Sequence, residues 1–84
     1  MSDLGPYEQV MGIVRRVLQI ESVDPTADFF DLGANSLALL QIVELVQEEC
    51  AVTVTVTDIF DAPDVDSFAT LVADRDTSAD PTAG

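Results

Sequence analysis

The chain has 84 residues, which is enough for one domain with a single hydrophobic core, and 48% of them are apolar. Sixteen acidic residues against three arginines give a formal net charge of −13 at pH 7. A charge of this sign argues against partners such as nucleic acid or an anionic membrane, and it favours attraction to basic partners. Solubility alone is an equally good explanation of the charge.

The cysteine content and the apolar runs predict the cellular location of the protein. Cys50 is the single cysteine, so no internal disulfide can form, which fits a reducing cytosol. The first residues have neither the basic region nor the apolar run of a secretory signal. No apolar run approaches the roughly 20 residues of a membrane span. We therefore expect a cytoplasmic protein, with no membrane partner and a monomeric state.

An amphipathic helix is the first predicted element, over residues 6–20. Pro6 suits the first helical position, after a cap at Gly5 or Asp3. Apolar residues then recur at spacings of three and four, namely Tyr7, Val10, Met11, Val14, Val17 and Leu18. The long connection over residues 21–35 contains the turn signal Asp-Pro-Thr and four apolar residues that we expect to hold it in place, Val23, Phe29, Phe30 and Leu32. Of these, we place Val23 and Phe30 in the core.

A second helix is predicted over residues 36–49, after a turn at Gly33. Asn35 and Ser36 are both good N-cap residues, so the helix should begin there. One broad face is expected to be buried and consists of Ala38, Leu39, Ile42, Val43, Leu45, Val46 and Cys50. The opposite, wet face carries Gln41, Glu44 and Glu48. Leu37 falls in the middle of this wet face, which suggests a docking contact although isolated exposed leucines are common.

The remainder of the chain predicts one short helix, one longer helix and a tail. Residues 51–57 alternate in the manner of a strand but have no second strand to pair with, so we expect an extended loop with its valines packed on the helices. Thr57 is expected to cap a one-turn helix over residues 58–62, and Asp64 to cap the last helix. From Asp74 onward the chain is small and polar and should be a disordered tail.

The fold class predicted from these elements is all-α. It is a small antiparallel four-helix bundle of three main helices and one short helix, with a long loop after the first helix. We expect one domain over residues 1–84, folded over about 6–75, with residues 76–84 disordered.

Catalysis by the chain itself is not expected. The sequence has no histidine and no lysine, so neither a Ser-His nor a Ser-Lys arrangement can be built around Ser36. A solvated carboxylate such as Asp31 is a weak base. The acids at 58, 61, 64 and 66 lack the order of a calcium loop, so we predict no metal site and no enzyme activity. If Ser36 reacts, another protein must activate it.

Residues 31–37, Asp-Leu-Gly-Ala-Asn-Ser-Leu, resemble the 4′-phosphopantetheine attachment motif of the acyl and peptidyl carrier proteins. The surroundings strengthen the resemblance. Phe29 and Phe30 stand where peptidyl carriers commonly have a Phe-Phe pair, and residues 57–63, Thr-Asp-Ile-Phe-Asp-Ala-Pro, resemble the segment around their third helix. The likeness covers about residues 7–73.

The resemblance implies a site, a cofactor and partners. Ser36 would accept 4′-phosphopantetheine from coenzyme A, through a phosphopantetheinyl transferase that supplies the base and magnesium. The acquired thiol would hold an acyl or aminoacyl group as a thioester. Enzymes that load the chain by adenylation or acyl transfer, and then condensing or tailoring enzymes, would contact the expected partner-binding residues, which are Leu37, Leu40, Glu44, Glu48, Ile59 and Phe60.

Two residues depart from the carrier patterns, and alternatives therefore stay open. Ala34 and Asn35 replace the second glycine and the histidine usual in peptidyl carriers, and acyl carriers usually have Asp where this chain has Asn35. The Phe-Phe pair and Pro63 favour a discrete peptidyl carrier of nonribosomal peptide or hybrid polyketide synthesis. The alternatives are a type II acyl carrier of polyketide or fatty-acid synthesis, an acidic helical interaction module without a prosthetic group, and an acidic nucleic-acid mimic.

Overall fold

The structure is a computed structural model, and it describes residues 5–75. These residues form four α-helices and no β-strand: α1 (Pro6–Leu18), α2 (Ser36–Cys50), α3 (Val56–Asp61) and α4 (Val65–Arg75). Helix α1 packs against both α2 and α4, and α3 packs against α2. The all-α bundle of three main helices and one short helix is therefore confirmed. No helix in this part of the chain combines the length and the apolar character that crossing a bilayer requires.

Helix α1 has the predicted start and a slightly earlier end. Gly5 is its N-cap and Pro6 its first residue. Gln19 adopts the left-handed conformation, with φ 57°, and ends the helix at Leu18 rather than at the predicted Ile20. Three residues of α1 are completely buried, Val10, Ile13 and Val14. Their spacing of three and four residues places them on one side of the helix, which is the side that meets α2 and α4.

One continuous hydrophobic core joins the three longer helices. From α2 it receives Leu39, Ile42, Val43, Val46 and Cys50, and from α4 it receives Val65, Phe68, Ala69 and Val72. The Phe68 ring meets the Phe29 ring edge to face, with their centroids 5.8 Å apart and an angle of 80° between the planes. This pair anchors the long loop in the core, because such edge-to-face pairs add to the stability gained from burial alone.

The loop between α1 and α2 is also tied to the start of α4 through its backbone. Val65 N–H donates to the Ala27 carbonyl oxygen at 3.0 Å, and Asp66 N–H donates to the Pro25 carbonyl oxygen at 2.9 Å. The loop therefore supplies the acceptors that the first turn of a helix lacks. The prediction that Phe30 lies in the core is wrong: its side chain is 57% exposed, whereas the neighbouring Phe29 is 3% exposed.

Helix α3 begins earlier than predicted, at Val56 rather than at Asp58. Its cap is Thr55, not Thr57: the Thr55 hydroxyl accepts a hydrogen bond from Asp58 N–H, and the Asp58 carboxylate accepts one from Thr55 N–H. This reciprocal capping box satisfies two backbone donors at once. Between α2 and α3 the chain forms neither helix nor strand, with Val52 and Val54 buried as the alternation predicts.

Helix α4 also extends further than predicted. Asp64 Oδ1 accepts a hydrogen bond from Ser67 N–H at 2.8 Å, as expected of a capping aspartate. The helix then runs through Asp74 to Arg75, so the prediction of a disordered tail from Asp74 onward is wrong for these two residues. The remaining predicted tail, residues 76–84, lies outside the described residues.

Candidate functional site

The turn before α2 is fixed by backbone hydrogen bonds around Phe29. Leu32 N–H and Ala34 N–H both donate to the Phe29 carbonyl oxygen, at 3.1 and 3.0 Å. Gly33 has φ +97°, a conformation that L side chains rarely adopt, and a Cβ atom there would meet nothing within 4 Å. The backbone conformation, and not lack of space, is therefore the reason for a glycine at this position. Since Phe29 is buried, the turn that presents Ser36 is attached directly to the core.

Asn35 is the N-cap of α2, and Ser36 is its first residue. Asn35 Oδ1 accepts a hydrogen bond from Ala38 N–H at 2.8 Å, and the Asn35 carbonyl oxygen accepts one from Leu39 N–H at 3.0 Å. Because Asn35 provides the cap, the Ser36 hydroxyl is not needed for it. Ser36 is exposed. The sequence contains two adjacent residues that could each cap α2. In the structure Asn35 is the cap, and Ser36 is left exposed at the surface.

The start of α2 differs electrostatically from the starts of the other described helices. The first turns of α1, α3 and α4 each hold an acid, respectively Glu8, Asp58 and Asp66, whereas the first turn of α2 holds none. The N-terminus of a helix carries partial positive charge and unsatisfied N–H groups. Although the chain has 16 acidic residues, none of them lies in the first turn of α2. A phosphodiester attached to Ser36 would place its negative charge there, so the residues present fit a phosphate-linked group.

Exposed apolar side chains lie on α2, on α3 and in the loop before α2. Leu37 is 63% exposed and Leu40 is 42% exposed on α2, and Phe60 on α3 is 51% exposed. Phe30 stacks on Phe60, with ring centroids 6.4 Å apart and 19° between the planes. Beside these rings lies a cleft of about 160 Å³, which Leu39 also lines. Because Leu39 follows Ser36 by three residues, the cleft begins about one helical turn from the serine.

The predicted partner-binding residues are not all at the surface. Leu37, Leu40, Glu44, Glu48 and Phe60 are exposed. Ile59 is 2% exposed, so the expectation that it faces partners is wrong, and its side chain instead packs α3 onto the core. Phe30 is the exposed residue that the sequence did not reveal. It lies in an irregular loop, where helical periodicity cannot separate an inward from an outward side chain.

Hydrogen bonds shift the pKa of several described residues, and two of these bonds, Tyr7 with Asp66 and Arg75 with Asp58, link separate segments. The Arg75 guanidinium, helped by Thr55 N–H, lowers the pKa of Asp58, and hydrogen bonds from Ser67 lower the pKa of Asp64. A hydrogen bond to Asp66 raises the pKa of Tyr7. Residues 5–75 contain no group of three or more acids or cysteines placed to hold a metal ion.

The family of the chain follows from comparison with known proteins. Residues 8–72 match the PP-binding family model, described as the phosphopantetheine attachment site. The match covers most of the chain and includes the whole turn and helix that present Ser36. The chain therefore belongs to the phosphopantetheine-binding family of carrier domains, whose cofactor is 4′-phosphopantetheine.

The relatives are large synthetases. The chain is 36% identical over 69 residues to surfactin synthase subunit 1 of Bacillus subtilis (strain 168), a match that covers 82% of this chain and 2% of the relative. It is 32% identical over 81 residues to the nonribosomal peptide synthetase acrB of Aspergillus aculeatus, covering 94% of this chain and 5% of the relative. The PKS-NRPS hybrid synthetase cheA of Chaetomium globosum is 36% identical over 67 residues, with 80% and 1% covered. The chain thus spans only a few per cent of the length of these relatives.

Solved structures show the same fold. A solution structure of the Pax NRPS docking-domain complex, PaxA T1-CDD/PaxB NDD, superposes with a TM-score of 0.76 at 23% identity, covering 92% of this chain and 75% of that one. A structure of a nonribosomal PCP domain gives a TM-score of 0.68 at 24% identity, covering 84% and 91%. At these identities the likeness concerns the fold, and it agrees with the family match.

Proposed function

We propose that Ser36 carries the 4′-phosphopantetheine group, and that the chain holds an aminoacyl or peptidyl group on it as a thioester during nonribosomal peptide or hybrid polyketide synthesis. The observation that carries this proposal is the position of Ser36. It is an exposed residue at the start of a 15-residue helix whose cap is provided by its neighbour Asn35 and whose first turn holds no acid. A nucleophile in this position is open to a modifying enzyme, and the negative group that it receives is stabilised by the helix terminus.

The modification itself requires a phosphopantetheinyl transferase. Ser36 Oγ forms a bond to the β-phosphorus of coenzyme A, its proton passes to a base of the transferase, and the bond from that phosphorus to adenosine 3′,5′-bisphosphate breaks. This chain contributes position only, because it has no histidine or lysine to act as base. Once attached, the prosthetic group supplies the thiol on which the acyl chemistry takes place.

The peptidyl assignment is supported by the relatives and by the loop before α2. By name, acrB is a nonribosomal peptide synthetase and cheA is a PKS-NRPS hybrid synthetase. Phe29 and Phe30 resemble the Phe-Phe pair of peptidyl carriers. In this chain Phe29 anchors the loop in the core, and Phe30 lies at the surface. We propose on this basis that the cargo is an amino acid or peptide.

The partner surface that we propose lies around Ser36 and extends to α3. It consists of Leu37, Leu40, Glu44, Glu48, Phe30 and Phe60, of which the two acids would attract basic partners. Partners of this chemistry would be the transferase, an adenylating enzyme that loads the carrier, and condensing or tailoring enzymes that receive the cargo. An apolar centre with a charged rim is the usual composition of such an interface.

Incubation with coenzyme A and a broad-specificity phosphopantetheinyl transferase tests the proposal. The intact mass should rise by one phosphopantetheine, and peptide mapping should place the addition on Ser36. Ser36→Ala should abolish the gain. Ser67→Ala is the matched control, because Ser67 also lies in the first turn of a helix. This variant should gain the same mass as the wild type. A protein that stays unmodified with several transferases would contradict the proposal.

A further inference from the structure

Arg75, the last residue of α4, makes three hydrogen bonds to the segment that leads into α3. Its Nη1 donates to the Thr53 carbonyl oxygen at 3.0 Å and to Asp58 Oδ2 at 2.6 Å, and its Nη2 donates to Asp58 Oδ1 at 3.2 Å. The pair with Asp58 is therefore bidentate, the geometry in which a guanidinium binds a carboxylate most specifically. One side chain thus connects the end of α4 to both the extended segment and the first turn of α3.

Asp58 is also the third residue of α3 and completes the capping box with Thr55. Its Oδ2 accepts hydrogen bonds from Thr55 N–H at 2.8 Å and from the Thr55 hydroxyl at 3.2 Å, while Asp58 N–H donates to the Thr55 hydroxyl. The same carboxylate therefore closes the capping box and binds Arg75. Loss of the arginine would remove two of the donors that hold this carboxylate in the capping position.

Helix α3 needs such a fixed start because it is short. It has only six residues, and Ile59 is its one buried residue. A helix of this length gains too few backbone hydrogen bonds to be stable by itself, so its position depends on its caps and contacts. Phe60 is the neighbour of Ile59 and stacks on Phe30 across the cleft beside α2. The orientation of α3 therefore decides whether the two rings meet.

We infer that Arg75 is a positioning residue, which fixes the start of α3 from the end of α4 and so holds Phe60 against Phe30. Any role of this ring pair in partner binding rests on the proposed function, whereas the positioning itself does not. No sequence pattern indicated this arrangement, because Arg75 lies 17 residues from Asp58 and at the predicted boundary between the fold and the tail.

Arg75→Gln in the full chain tests the inference, with Arg15→Gln as the matched control. Both variants remove one positive charge, but Arg15 is exposed and forms no ion pair with a described residue. We expect amide hydrogen exchange in Val56–Asp61 to become roughly three- to tenfold faster in Arg75→Gln, the size expected for a lost charge-assisted contact at a partly exposed site. Exchange in α1 and α2 should stay near the wild-type rate, and Arg15→Gln should leave α3 unchanged within about twofold.

Two further measurements separate local positioning from general destabilisation. Nuclear Overhauser contacts between the Phe30 and Phe60 rings should weaken in Arg75→Gln and persist in Arg15→Gln. The exchange rate of α3 in Arg75→Lys should fall between those of the wild type and Arg75→Gln, since an ammonium group keeps the charge but cannot reproduce the bidentate pair.

Equal exchange in α3 for the two glutamine variants, or equal acceleration throughout α1, α2 and α3 in Arg75→Gln, would overturn the inference. Loading of Ser36 is measured on the same samples: an unmodified wild type would reject the proposed function and leave the exchange result standing.

Discussion

Ser36 and Ser67 both lie in the first turn of a helix, but the charges around them differ, and this difference bears on whether each could carry a phosphate group. Ser67 follows Asp64 and Asp66, and its N–H donates to the Asp64 carboxylate. Ser36 follows Asn35, a neutral cap that accepts its hydrogen bond from Ala38 N–H. A phosphate at Ser67 would add charge beside two carboxylates, whereas a phosphate at Ser36 would meet a helix terminus without an acid. The same residue type thus has different chemistry at the two positions.

Leu37→Glu tests the surface next to Ser36. The side chain is 63% exposed, so we expect the free energy of unfolding to change by no more than about 0.5 kcal/mol. Loading by the transferase should nevertheless become slower, because an apolar contact at the centre of the proposed interface is replaced by a charge. Thermal melting and the loading rate at a fixed transferase concentration check the two expectations. Marked unfolding would place Leu37 in the core.

The loop before α2 contains two adjacent phenylalanines, Phe29 and Phe30, whose side chains have different roles. Phe29→Ala should destabilise the fold by about 3–5 kcal/mol, because a ring 3% exposed is removed from its contact with Phe68. Phe30→Ala should cost less than about 1.5 kcal/mol, since it loses only a partly exposed stacking partner. Urea unfolding of the two variants measures the difference. Similar losses of stability for both would contradict the assignment of Phe30 to the surface.

The contact between α1 and α4 can be observed through the single tyrosine. Tyr7 donates its hydroxyl proton to Asp66 Oδ1 at 2.6 Å, and this bond raises the pKa of Tyr7 above its ordinary value of 10.0. Since the folded-state pKa is raised, the contribution of this bond to stability is present below pH 10.0 and is lost as the pH rises through the folded-state value. Ultraviolet absorbance titration should give a pKa above 10.0, and Asp66→Asn should bring it closer to 10.0. A wild-type value at or below 10.0 would show that the bond is absent in solution.

At the scale of the whole molecule, the net charge of −13 should make salt act in opposite directions on folding and on loading. Raising the ionic strength from about 0.01 to 0.15 M shortens the Debye length from about 30 to 8 Å and screens repulsion among the acids. The melting temperature should therefore rise. The loading rate should fall over the same range, because the attraction that we propose between the acids and a basic transferase is screened as well. A melting temperature that falls with salt would mean that ion pairs such as Arg16 with Glu49 outweigh the repulsion.

Local sequence patterns were enough to predict the four helices and the turn before α2, and they proposed Ser36 as the candidate site. These features depend on neighbouring residues: apolar spacing along a helix, the left-handed conformation at Gly33, and a capping residue beside Ser36. The family resemblance rested on the same local motifs, and the family match confirmed it. The valines of the extended segment were also predicted correctly, because alternation separates an inward from an outward side.

Contacts between residues that are distant in sequence became visible only in the folded structure. Phe30 and Phe60 are 30 residues apart in sequence and stack, and Arg75 reaches Asp58 from the predicted boundary between the fold and the tail. Burial of Ile59 likewise follows from the position of α3 on α2 and not from its own six residues. A loop or a single helical turn is too short to show a repeating pattern of apolar residues, so its sequence does not reveal which side faces inward. The packing of the longer helices around it makes that choice.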